Sequence, residues 1–374
     1  MKKILALLLV LIMALTLASC GGSKDIGADY ANMTAEELIK ATIKDRTNPT
    51  DEEIAALIGT AAYIGIDEKN VFEDNITDEA IGILTKEMVK PAQPINYAEK
   101  LLDNEDMLVR AFIYDSFMDY TPLEDETLEN LLVEKVKAET DKVAISCALR
   151  GLANALSERI EFATFAASCA DNEDAAVRYW AANALGFYRL EDNEICVDAI
   201  IKLIKDSDTE VAKEACKEAG NFGNEKVVPI LEEVLSDEAL VDIHGSATEA
   251  LQKLWMGYPL YEGKSEAAYR AHLAYLTTDT TNPKIPAWTA ISSIKDPGGK
   301  FEEWKSAAPY FNESELVAAL SAVVCDADAD KLAKTTAIQR IGAFGTKEDL
   351  EALKAAVAGD DSIVSKIDSE IAKK

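Results

Sequence analysis

The stretch Asp171–Tyr179, DNEDAAVRY, has a near twin at Asp103–Ala111, DNEDMLVRA, and the two begin 68 residues apart. Half of that distance is 34 residues, and a valine recurs at this spacing, at Val109, Val143, Val177 and Val211. An aspartate stands two or three residues before each of these valines. Self-similarity at a fixed period of this length is typical of proteins built from stacked repeats.

Each repeat has the pattern of two helices. Asp208 can begin the first helix, because its carboxylate can accept backbone N–H groups, and Gly220 and Gly223 favour its exit. The apolar positions of that helix are Val211, Ala215 and Ala219, and those of the second are Val227, Ile230, Leu231 and Val234. Neither helix can bury its apolar stripe alone, so the pairs must stack. The sequence predicts an all-α fold, an α-solenoid of antiparallel helix pairs with a period of about 34 residues.

Two stretches resemble HEAT repeats, especially the short type shared with phycobilisome lyases: DAAVRYWAANALGFY from Asp174 and DTEVAKEACKEAGNFGNEKVVPILEEVL from Asp208. The matching positions are Asp174, Val177, Arg178, Ala184, Leu185, Gly186, Val228, Pro229 and Leu231. The resemblance is strong over residues 103–255 and weaker over 326–357, and the repeat arginine is replaced by Ala144 and Ala212. It implies an architecture and not an activity.

The structural repeat positions are Val109, Arg110, Val143, Val177, Arg178 and Val211. An arginine that recurs at one repeat position, as Arg110 and Arg178 do, favours a structural role over a ligand role. From there its side chain can reach the aspartate turn of the neighbouring repeat and tie the stack together.

The chain begins MKKILALLLVLIMALTLASC, with two lysines, an apolar run of 15 residues and small residues at its end. The run is shorter than the roughly 20 residues of a membrane-spanning helix and has the pattern of a secretory signal. Leu17-Ala18-Ser19-Cys20 resembles the lipobox of bacterial lipoproteins. The resemblance implies a signal peptide over 1–19, a lipid on Cys20 and a flexible tether over 20–33. We expect an extracytoplasmic protein anchored to a bacterial membrane, and which membrane stays open.

Composition narrows the class of partner. Removal of residues 1–19 would leave 36 basic and 67 acidic residues, a net charge of −31. So acidic a surface disfavours nucleic acid, which needs Lys and Arg to neutralise its phosphates. With 48% hydrophobic residues, the chain is rich enough in apolar side chains to fold. We therefore expect N-terminal helix pairs over 34–102, regular repeats over 103–255, an irregular segment over 256–312 and repeat-like helices over 313–374.

The irregular segment is rich in aromatic residues and proline. Residues 255–311 hold three of the four tryptophans and five of the ten prolines. Tryptophan and tyrosine dominate binding hot spots, so partner-binding candidates are Trp255, Tyr258, Tyr261, Trp288, Trp304 and Tyr310. The alternative is that bulky side chains fill uneven gaps in an irregular part of the core.

No catalytic or metal-binding motif stands out. Asp326, Asp328 and Asp330 resemble the start of a calcium loop but lack its glycine and glutamate. His244 and His272 lie 28 residues apart without further zinc ligands nearby, and are expected to be exposed or satisfied helix residues. Five cysteines remain after Cys20, and we expect them to be small buried hydrophobes. We predict no metal, no cofactor and no catalysis.

Three functions compete. A lipid-anchored solenoid offers a long surface, which favours a scaffold for a protein or peptide partner in the cell envelope. A glycan-binding lipoprotein that uses the aromatic segment is the alternative. The phycobilisome-lyase resemblance hints at an enzyme, but an export signal argues against pigment attachment. The sequence therefore favours the scaffold.

Overall fold

A computed structural model describes residues 35–44, 98–118, 122–188, 194–256, 265–278 and 305–374, with residues 50, 53, 56, 57 and 281 as isolated positions. Every regular element within these ranges is helical. Helices neighbouring in sequence, and helices one repeat apart, pack against each other. The expected all-α, HEAT-like solenoid architecture is confirmed, and the chain divides after Leu156 into two compact units.

The first unit contains the earlier helices. They are α1 (Ala35–Thr42), α2 (Ala98–Leu101), α3 (Met107–Asp115), α4 (Glu126–Ala138) and α5 (Lys142–Ala155). Helices α3 and α5 begin 35 residues apart and pack closely. Gly151 makes this possible, because a Cβ atom there would lie 2.1 Å from the carbonyl oxygen of Tyr114. The first helices of these two repeats therefore touch backbone to backbone.

The second unit contains the helices that follow. Its regular part has α6 (Ile160–Ser168), α7 (Ala175–Gly186), α8 (Glu194–Ile204), α9 (Thr209–Phe222), α10 (Val228–Ser236), α11 (His244–Met256) and α12 (Glu266–Tyr275). Its C-terminal part has α13 (Glu313–Cys325), α14 (Lys331–Phe344), α15 (Lys347–Ala356) and α16 (Asp361–Ile371). The first helices α7, α9 and α11 begin 34 and 35 residues apart and pack in that order. We call them the first-helix layer.

Local sequence sets where these helices begin and end. Helices α5, α7, α9, α14 and α16 each start at an aspartate whose carboxylate accepts backbone N–H groups, at Asp141, Asp174, Asp208, Asp330 and Asp360. Gly223 ends α9 in the left-handed conformation, with φ of 70°. The expectation that Gly220 also ends that helix is wrong. Gly220 lies inside α9, where a Cβ would come within 2.8 Å of Ala250 Cα, so it permits close packing on α11.

The predicted apolar faces form the core. In α9 the side chains of Val211, Ala215 and Ala219 are fully buried. The second-helix face is buried as well, at Val227, Ile230, Leu231 and Val234. Pro229 stands in the first turn of α10, where its missing N–H has no partner to lose. Each layer of the stack thus covers the apolar stripe of the next.

Both repeat arginines make the contact that their position suggests. Arg178 donates from Nε and Nη2 to the carboxylate of Asp206, at 2.6 and 2.8 Å, and from Nη1 to the carbonyl oxygens of Asn172 and Glu173. Asp206 in turn accepts the amide N–H of Asp208, the cap of α9. The guanidinium therefore joins the turn before α7 to the turn before α9.

Arg110 repeats this arrangement in the first unit. Its Nε and Nη2 donate to Glu139 at 2.8 and 2.9 Å, and its Nη1 donates to the carbonyl oxygens of Asn104 and Glu105. Burial opposes ionisation of Glu139, but the hydrogen bonds from Arg110 and from backbone amides outweigh it and lower the pKa of that carboxyl group. These forks are structural ties between repeats.

Candidate functional site

The aromatic segment enters the described structure in part. Tyr258, Tyr261, Trp288 and Trp304 lie outside the described residues. Trp255 is only 1% exposed, and its ring stacks on Phe311 with a centroid distance of 5.9 Å. The hydroxyl of Tyr310 donates to the carbonyl oxygen of Trp255 at 2.6 Å. Trp255 is thus a core residue and not an accessible binding residue, because it fills the space between α11, α12 and the start of α13.

Both histidines are buried and hydrogen-bonded. His272 accepts the indole N–H of Trp255 at Nδ1, 2.9 Å away. His244 has Nε2 2.9 Å from the carbonyl oxygen of Val234 and Nδ1 2.9 Å from the hydroxyl of Tyr275. They are satisfied residues, one of the two environments expected, and each holds neighbouring helices together.

The aspartates at the start of α14 also have structural partners. Asp330 caps α14, and Asp326 accepts the amide N–H of Asp328 at 3.0 Å. Across the described ranges, no group of three or more His, Cys, Asp or Glu side chains is placed to hold a metal ion. In the same ranges, no helix has both the length and the apolar character to cross a bilayer.

Four of the five described cysteines are buried, as expected, at Cys147, Cys169, Cys196 and Cys216. Cys325 is exposed, which corrects that expectation for one position. No disulfide joins any of these five. Burial raises the pKa of the Cys169 thiol to about 11 and that of Cys216 to about 12, so neither is a reactive thiolate.

An open groove of about 610 Å³ lies beside the start of α13. Arg270 and Lys305 line it, but Arg270 donates to Glu315 at 2.6 Å and Lys305 donates to Glu313 at 2.6 Å. Its cations therefore already have carboxylate partners, and the groove has little charge left to recognise an anion.

A more distinctive surface lies on α7 and α9. Tyr179 and Trp180 are partly exposed on α7, and their rings meet edge to face with centroids 5.1 Å apart. Asn183 follows one turn later and points to α9. We call the following set the first-helix patch: Tyr179, Trp180, Asn183, Glu214, Lys217 and Glu218.

Glu214 is the polar centre of the first-helix patch. Its side chain is 7% exposed, and Oε1 accepts hydrogen bonds from Asn183 at 2.8 Å and from Lys217 at 2.9 Å. Burial, and then the charge of Glu214, raises the pKa of Tyr179 to about 12. The phenol therefore stays protonated and available as a donor.

Glu218 lies deeper, one helical turn further along α9. Its side chain is 3% exposed, and its carboxylate accepts from Asn221 at 2.7 Å and lies 3.2 Å from the ammonium of Lys217. A Cβ atom on Gly186 would be 1.8 Å from Glu218 Oε2, so the glutamate occupies the space that an alanine would fill. Burial raises the pKa of Glu218, the positive charge of Lys217 opposes this, and the charge of Glu214 adds to it.

Sequence reasoning missed this patch. Trp180 was the one tryptophan outside the irregular segment and sits in the most regular repeat. Glu214 and Glu218 resemble ordinary surface glutamates in an acidic chain. Their spacing contained a signal, because each directly precedes a buried alanine, Ala215 or Ala219, and so lies at the edge of the apolar stripe.

Comparison with known proteins supports the repeat architecture. Residues 162–252 match the family model for HEAT repeats. The match covers helices α6 to α10, most of α11 and the whole first-helix patch. No curated protein matches the chain with significant similarity. HEAT repeats generally serve as scaffolds and mediate protein interactions, so a protein-interaction role is the coarse function that the match supports.

Proposed function

We propose that this protein is a membrane-anchored, extracytoplasmic HEAT-repeat scaffold that binds a protein or peptide partner in the bacterial cell envelope and performs no catalysis. The observation that carries the interaction role is the first-helix patch, where an exposed Tyr–Trp pair lies beside partly desolvated polar groups. The lipobox-like Leu17–Cys20 sequence supports the anchored location.

The composition of the patch is that of a binding hot spot. Tryptophan and tyrosine bury large apolar areas at a small cost in side-chain entropy and are enriched where truncation costs most affinity. Tyr179 and Trp180 stand on a rigid helix that is held on both sides by neighbouring helices. A preorganised surface of this kind loses little freedom on binding.

Burying these polar groups has a cost that packing alone does not require. Elsewhere in the first-helix layer the contacts are made by alanine, valine and leucine, as at Ala181, Ala215 and Ala247. Placing Glu214 and Glu218 between α7 and α9 requires Lys217, Asn183 and Asn221 to satisfy them. Polar groups held in fixed positions contribute directional specificity to a surface that otherwise offers only shape.

Site-specific photocrosslinking in intact cells tests the proposal. A photoreactive phenylalanine analogue would replace Trp180, and in a matched control it would replace Phe165, a partly exposed aromatic residue on the second helix α6. We expect one envelope protein to be captured from position 180 and not from position 165. The purified pair should bind, with a dissociation constant that rises at least about tenfold in Trp180→Ala, the size of a modest hot spot.

Either of two results would reject the scaffold at this patch. One is equal capture from both positions, and the other is an unchanged dissociation constant in Trp180→Ala. Glycan binding through Tyr258, Tyr261, Trp288 and Trp304 stays a prediction, which retention of the wild type and a Trp288→Ala, Trp304→Ala variant on envelope polysaccharide would test. Loss of retention in the variant alone would support it.

A further inference from the structure

The contact between Gly186 and Glu218 places an ionisable group where the packing of two repeats is tightest. Glycine at this point of α7 leaves room for one side chain from α9, and the room is taken by a carboxylate. A buried carboxylate changes its cost to the fold when it gains or loses a proton, whereas the alanine and valine contacts around it do not.

The groups around Glu218 do not balance its charge. On its own helix, α9, Lys217 is the nearest cation, but that ammonium also donates to Glu214 at 2.9 and 3.2 Å. Two buried carboxylates therefore share one ammonium, which itself is 47% exposed. Asn221 donates one hydrogen bond to Glu218 and brings no charge.

The other packed elements bring no further cation to Glu218. From α7 come the Tyr179 phenol and the Asn183 amide. From α11 comes Lys253, which approaches Gly220 and pairs with Glu249 at 3.3 Å. The buried face of α8 is apolar except for the Cys196 thiol, and the acidic side chains of the turn Glu238–Ile243 are exposed.

We propose that Glu218 is a proton-responsive contact, which tightens the packing of α7 on α9 when it takes up a proton and loosens it when the proton leaves. Protonation removes one negative charge from a buried pair that has one cation, and Lys217 then serves Glu214 alone. The contact lies beneath Tyr179 and Trp180, so it regulates the rigidity of the patch surface.

The direction of the pH dependence follows from burial. Burial holds the pKa of Glu218 above its usual value in the folded chain, so the folded state binds this proton more tightly than the unfolded state. The stabilisation is complete below the unfolded pKa and is lost as the pH rises through the folded pKa. Mild acid therefore stabilises this junction, the opposite of the effect at a salt-bridged carboxylate.

Thermal unfolding of the full chain from pH 8 to pH 5 tests this. Because lower pH also relieves the general repulsion of an acidic protein, the comparison is between wild type and Glu218→Gln at each pH. Glu210→Gln is the matched control, since Glu210 is on the same helix with its side chain 60% exposed. We expect the melting temperature of the wild type to rise relative to Glu218→Gln by about 2–4 °C on acidification, and the Glu210→Gln difference to stay constant.

Hydrogen exchange of the wild type gives a second readout that requires no variant to fold. After correction for intrinsic rates, amides of α7 and α9 should gain more protection on acidification than amides of α12. A constant difference between wild type and Glu218→Gln, or equal protection changes in α7, α9 and α12, would overturn the proposal. Neither experiment involves a partner, so its failure would leave the scaffold function standing.

Discussion

Replacing Gly186 with alanine tests the tightest contact of the first-helix layer. The new methyl group would lie 1.8 Å from Glu218 Oε2 and 2.6 Å from its Cδ, far inside van der Waals contact. The glutamate must move, and it is held by Asn221 at 2.7 Å and by Lys217 at 3.2 Å. The substitution therefore either breaks these bonds or separates α7 from α9.

Three effects set the magnitude. Overpacking a tight interface costs about 1–3 kcal/mol. Loss of hydrogen bonds to a charged group costs about 1.5–3 kcal/mol. Alanine in a helix interior is better than glycine by about 1 kcal/mol, which offsets part of this. The expected loss is about 2–4 kcal/mol, or a fall in melting temperature of about 5–15 °C.

The assay is thermal and urea unfolding, followed by circular dichroism. Gly359→Ala is the matched control, because a Cβ atom there meets no other atom within 4 Å, and its stability should change by less than about 0.5 kcal/mol. In a Glu218→Ala background the cost of Gly186→Ala should shrink by about 1–3 kcal/mol, because the clashing carboxylate is gone. A Gly186→Ala protein as stable as wild type, or a cost that Glu218→Ala does not change, would refute the reasoning.

Three other predictions concern separate parts of the chain. Arg178→Ala should lower stability by about 2–4 kcal/mol, because it leaves the Asp206 carboxylate partly buried without its cation, and Arg178→Lys should restore little, since lysine lacks the planar fork; urea unfolding measures both. Cys20→Ser should abolish incorporation of a labelled fatty acid and release the protein from membranes, and a label retained by the variant would reject the lipid anchor. Maleimide should modify the native chain at Cys325 and reach the four buried thiols only in urea, and mass spectrometry of digests would show any exception.

The repeat architecture could be predicted because it repeats. A period of 34 residues places the same residue types at the same positions, so Asp208, Val211 and Ala215 each had counterparts that confirmed their role. The arginine forks were predictable for the same reason, since Arg110 and Arg178 recur. What recurs in a solenoid is what each repeat needs in order to stack on the next.

The candidate site could not be predicted in this way, because it is what does not recur. Trp180 has no tryptophan one period away, and Asn183 and Glu214 meet only because α7 and α9 pack side by side. The aromatic residues of the irregular segment attracted attention by their density. Density does not distinguish exposed from buried rings, and Trp255 is buried.

A second glycine–glutamate contact shows that the Gly186 arrangement is a feature of the array. A Cβ on Gly342 of α14 would lie 2.6 Å from Oε2 of Glu370 on α16, and Glu370 is buried and bonded to Lys373 at 2.6 Å. In both places a first-helix glycine admits a carboxylate from the next first helix, with a partly exposed lysine beside it. The Glu370 contact has one carboxylate for its lysine, whereas Glu218 must share Lys217 with Glu214. The unbalanced charge, and not the glycine slot itself, is therefore what makes the α7–α9 junction sensitive to protons.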